Sequence, residues 1–154
     1  MLQNYNFPEY NQRCHGHDYY GPFIYHIILK RANGCSVFGK VGGSVMIPYN
    51  NYGCAHIIRS NLGKACANGL RQWKDSHPII QLWKYSIMPD HIHLIINKTV
   101  RTEEHLTHFI KHLKYTIPDI YNTETAGGYE TNDIFDINYC DKPLFDNRSL
   151  DPIQ

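Results

Sequence analysis

At 154 residues and 18.0 kDa the chain suits one domain with a single modest core. A hydrophobic share of 42% and a charged share of 19% exclude a disordered chain. The net charge of +1 excludes a strong overall field, so any nucleic-acid surface must gather its cations on one face. The opening MLQNYNFPEY lacks a basic region followed by an apolar run, and the longest apolar runs fall far below membrane-spanning length. A cytoplasmic protein with no membrane partner is expected. The five cysteines form no C-x-x-C pair, which argues against a zinc knuckle or redox motif and for reduced packing residues.

In chain order, residues 1–21 carry Pro8, Gly16 and Gly21 and read as an irregular arm ahead of a domain over 22–154. Phe23 to Lys30 is a β-rich run and a first, central strand. Asn33-Gly34 signals a turn, with a return strand near Val37-Phe38. Residues 39–53 read as loop plus a short strand. Ile58, Leu62, Ala65, Cys66 and Leu70 recur at helical spacing and predict a helix from Ala55 to Trp73. Ile79 to Tyr85 is a strand, residues 87–90 a turn around Pro89, and His91 to Asn97 a further strand. A second helix is expected from Glu103 to Ile117, ended or broken by Pro118. Residues 122–133 have linker composition, 134–145 could hold a short strand, and Asp151-Pro152 looks like a helix start. The order predicts an α+β fold, an antiparallel sheet with helices packed on one face.

Side chains alternate along a strand, so His91, His93, Ile95 and Asn97 share one face and Ile92, Leu94 and Ile96 the other. The two imidazoles stand about 7 Å apart along the strand at about 3.3 Å per residue, close enough to converge on one ion. Asp90 is placed to orient a ring or contact bound water. Taken alone, His-x-His in a strand is more often an exposed pair with no ligand. His105, His108 and His112 form a helical stripe that reads as a partly exposed face before it reads as a second metal site. Trp73 and Trp83 flank the second strand and read as core, though either could stack an unpaired base. Lys98, Arg101, Lys111, Lys114 and Arg148 are candidate phosphate contacts.

The stretch Met88-Pro89-Asp90-His91-Ile92-His93-Leu94-Ile95-Ile96 resembles the MPxHxHLL signature of the HUH endonuclease superfamily. The likeness is to the single-tyrosine transposases of small insertion sequences, in the REP-associated branch. Tyr25-His26-Ile27 with Lys30-Arg31 and Val37-Phe38 is similar to that family's first strand and hairpin. Phe109 to Lys114 is similar to its "iik.fK" helix, and Phe135 with Tyr139 to Leu144 is loosely similar to its "vWq..yyDh.ir" segment. The similarity spans roughly residues 23–154 and is sharp at 88–96.

The resemblance implies a ferredoxin-like or RRM-like sandwich and metal-dependent nicking of single-stranded or hairpin DNA. Strand transfer would run through a 5′-phosphotyrosine intermediate. It implies His91 and His93 as ligands of Mg²⁺ or Mn²⁺, which would act as a Lewis acid on the scissile phosphate. The family's nucleophile and third ligand lie on a helix that would begin near Asp151. The resemblance thus puts them beyond Gln154 and the chain as truncated, with Tyr139 the best-placed tyrosine present. A dimer and a monomer both fit. Two other readings stay open: a non-catalytic remnant that binds a DNA hairpin, and a zinc protein using the two histidines with a cysteine.

Overall fold

The computed structural model describes residues 16–33, 35, 37–136 and 138–146. Its main sheet has four strands: β1 (Phe23–Lys30), β4 (Ile80–Ile87), β5 (His91–Lys98) and β6 (Cys140–Asp146), in spatial order β4-β5-β1-β6. All three pairings are antiparallel. Helix α1 (Asn61–Ser76) connects β1 to β4, and α2 (Leu106–Thr125) connects β5 to β6, followed by a four-residue turn of helix, α3 (Thr131–Ile134). Set against that sheet, a separate ribbon of β2 (Gly39–Gly42) and β3 (His56–Arg59) is inserted between β1 and α1. Without the ribbon the order is that of a split βαβ, ferredoxin-like sandwich, which is the α+β class expected.

Alternation decides which face is closed. Tyr25, Ile27 and Leu29 of β1 and Ile92, Leu94 and Ile96 of β5 are fully buried against α1 and α2 in one apolar cluster. The two helices pack closely enough that a Cβ added at Gly69 would stand 2.4 Å from Ile117 Cγ1. Trp73 lies in this layer, its Nε1 donating to Phe109 O at 2.8 Å across the helix pair.

Four expectations change. The predicted hairpin at Asn33 does not form, because β1 has β5 and β6 as its neighbours; Phe38 instead is a buried side chain in an irregular segment. The first helix begins at Asn61, not Ala55. Residues 56–59 pair with β2, and Ser60 caps the helix by accepting from Gly63 N at 3.1 Å. The second helix passes through Pro118 and ends at Ala126, whose φ of 55° is left-handed. Ile117 and Pro118 are buried there, so packing outweighs the lost backbone bond. The expected linker is also ordered: Asn122 Nδ2 donates to Tyr129 O at 2.6 Å, Tyr129 N donates back to Asn122 Oδ1 at 2.9 Å, and α3 follows. Most of the expected arm (1–15), the turn residue Gly34 and the helix start at Asp151 lie outside the described residues.

Candidate metal centre

His91 opens β5 directly after the turn at Met88–Asp90, and backbone bonds clamp that turn from two sides. Arg31 N donates to Asp90 O at 2.9 Å, Phe38 N donates to Pro89 O at 2.7 Å, and Met88 N donates to His91 O at 2.8 Å. Phe38 O in turn accepts from Ser60 N at 2.9 Å, which links the turn to the start of α1. A Cβ at Gly63 would come within 2.0 Å of Phe38 O, so glycine is needed for that approach.

The two rings project from the sheet face away from the helices, and their Nε2 atoms meet at 2.8 Å. With ligand bonds of about 2.1 Å, that separation subtends roughly a right angle, the angle between neighbouring positions of a six-coordinate ion. The donor pair therefore fits a divalent cation. Both outer nitrogens are engaged. His91 Nδ1 lies 2.6 Å from Asp90 Oδ1, and an N–H donated to that carboxylate leaves Nε2 with its lone pair outward. His93 Nδ1 lies 3.0 Å from Nε2 of His26, a β1 residue whose ring stacks on His93. Sequence reasoning left His26 without a role. Only the register, which sets His26 opposite Ile95 and diagonal to His93, brings the rings together.

Electrostatics favour the neutral form of two of the rings, His93 and His26. Burial pushes His93 down to about 4, and His91 and His26 act in the same direction. Burial, then Lys142, holds His26 below its ordinary value. Neutral imidazoles are the form that binds metal. Among the described residues no cluster of three His, Cys, Asp or Glu side chains is set to hold an ion. Cys140 shares this face, but Ile28 separates it from His93, being paired to both, which weakens the zinc alternative.

The remaining candidates disperse. Tyr139 is buried on the helix side, its hydroxyl 3.0 Å from Thr107 Oγ1 of α2; with the sheet between it and the histidines, it is set aside as a nucleophile. Lys98 and Lys114 are also corrected. Lys98 donates to the carbonyls of Tyr20, Gly21 and Val100, and Lys114 to those of Asp136 and Asn138, so both buried ammonium groups serve the fold rather than a phosphate. Arg101 pairs with Asp18 at 2.6 Å, and Lys111 is exposed on α2. Arg148 lies outside the described residues. Cations on the histidine face include Lys30, opposite His91, Lys84, opposite Ile95, and Lys142, opposite His26. His105 caps α2 by accepting from Thr107 N at 3.0 Å, whereas the His108 and His112 rings lie 4.5 Å apart beside His77.

No helix among the described residues is long and apolar enough to cross a membrane. No family model and no curated protein sequence matches the chain. Two solved structures are similar in fold. One is a REP-associated tyrosine transposase bound to a REP hairpin, with TM-score 0.52 and 8% identity over 90% of this chain and 66% of that one. The other is a candidate transposase from Deinococcus radiodurans R1, with TM-score 0.53 and 16% identity over 93% of this chain and 92% of that one. The chain thus spans 66% of the length of the hairpin-bound protein, and at these identities the likeness is one of fold.

Proposed function

We propose that the chain belongs to the HUH-type, REP-associated tyrosine transposases and acts in DNA transposition by nicking and transferring single-stranded DNA. One observation carries the reading: His91 and His93 bring two Nε2 atoms to 2.8 Å, with Asp90 and His26 bracing their outer nitrogens. It occurs in a fold shared with a hairpin-bound tyrosine transposase. His91 and His93 hold the ion, Mg²⁺ or Mn²⁺. Bound there, it supplies Lewis-acid stabilisation of charge developing on the phosphoryl oxygens. A tyrosine hydroxyl gives up its proton and its oxygen bonds to phosphorus. The bond from phosphorus to the 3′ oxygen breaks, and that oxygen leaves as a protonated 3′-hydroxyl beside a 5′-phosphotyrosine. The family resemblance assigns this tyrosine to a helix after β6.

A second reading, hairpin binding without cleavage, has the hairpin-bound neighbour in its favour. The two separate in one experiment with a 3′-labelled oligonucleotide carrying a hairpin and a single-stranded flank. For full-length protein that includes the helix following β6, the first reading predicts a covalent, Mn²⁺- or Mg²⁺-dependent adduct that His91→Ala abolishes and whose tyrosine peptide mapping identifies. Binding without an adduct selects the second; no binding at all removes both.

A further inference from the structure

The edge strand β4 carries a β-bulge: Leu82 pairs with Ile96 and Lys84 with Ile95, leaving Trp83 as the extra residue. The indole is 47% exposed, unlike the buried Trp73, and its Nε1 is held by Gln81 Oε1 at 3.0 Å. Beside it, between α1 and β4, lies a hollow of about 320 Å³ lined by Arg71, Lys74, Trp83, Lys84 and Tyr85, among others. Arg59 extends the line of cations, its guanidinium 5.9 Å from the centre of the Tyr85 ring. A second hollow, of about 220 Å³, holds His26 and His93, and Lys84 and Tyr85 line both. The charge of this region is one-sided. Arg71, Lys74 and Lys84 line the two hollows, and no Asp or Glu does.

We infer that this hollow is a groove for single-stranded nucleic acid, running from α1 over Lys84 to the histidine pair. An exposed indole offers a stacking surface to any unpaired base, and cations spaced along the wall suit a phosphate backbone. The bulge at Trp83–Lys84 re-aims the edge of β4 toward both hollows. The inference rests on the nucleic-acid reading above and extends it to residues outside the metal centre.

The test measures binding of the full chain to fluorescein-labelled oligo-dT in EDTA, by anisotropy between 50 and 200 mM KCl, with indole emission recorded in parallel. Oligo-dT is expected to quench Trp83 emission. Trp83→Ala is expected to weaken binding about tenfold, with Trp83→Phe retaining most of the affinity. Arg71→Glu with Lys74→Glu, both at exposed positions, is expected to weaken it at least tenfold. Their loss should also flatten the logarithmic salt slope by about 1.4, at about 0.7 per phosphate contact. Wild-type binding with unchanged affinity and slope in both variants, as for a groove built for an acidic peptide, overturns the groove and leaves the nicking reading standing. No oligonucleotide binding by the wild type removes both.

Discussion

The two faces of the sheet are made by the same residues in alternation, and they do opposite work. On the helix side Ile92, Leu94 and Ile96 have no exposed surface, and their neighbours are other apolar groups. On the other side His91 and His93 are part-buried, and their ring nitrogens meet polar partners at 2.6 to 3.0 Å. The first face supplies stability through area removed from water. The second holds imidazoles in a set arrangement, which contributes little to stability and suits them to bind an ion. Lys98 is the exception on the closed side, a cation inside an apolar layer that fastens residues 20 and 21 to the end of β5.

Substitutions on each face should therefore separate cleanly. Leu94→Ala opens a cavity in the closed layer and is expected to cost about 2–5 kcal/mol in denaturant unfolding. A cost under about 1 kcal/mol would mean that the sheet is not sealed there. On the other face His26→Gln should leave that stability nearly unchanged and weaken Mn²⁺ binding about 10–100-fold, the usual cost of losing a group that orients a ligand. Equal affinity in calorimetry would reduce His26 to a bystander.

The smallest effect is one of pH. Burial pushes Lys98 from 10.5 down to about 8. Below pH 8 both folded and unfolded chains keep that proton, and the burial cost is present in full. Between about 8 and 10.5 the unfolded chain keeps it while the folded chain has shed it, so stability rises with pH across that window. Lys98→Met should flatten the rise. An identical pH profile in the variant would show that the three carbonyls hold the charge without penalty.

Much of this was readable from local pattern. The first strand is bounded as expected, the strand after Pro89 begins where expected, and the alternation of His91 to Asn97 fixes which residues share a face. Errors arose where tertiary pairing overrode local signal. Ile58 fits the helical spacing of Leu62 and Leu70, yet pairing with β2 makes it strand. Residues 122–125 look like linker, but the buried turn around Pro118 carries the helix through them. Site residues followed the same division. The pair at 91 and 93 is visible from period two, whereas His26, Lys84 and Lys142 join it only through the register of three strand pairs. Lys98 and Lys114 resembled surface cations because sequence does not reveal which carbonyls a long side chain reaches.

On the reading proposed above, His91 and His93 share one divalent ion. Titration of the chelator-treated chain with Mn²⁺, followed by electron paramagnetic resonance, tests it most directly. A Mn²⁺ site is expected that is lost in both His91→Ala and His93→Ala while the folded signal in circular dichroism is kept. Mn²⁺ bound as tightly by either variant as by the wild type would contradict it.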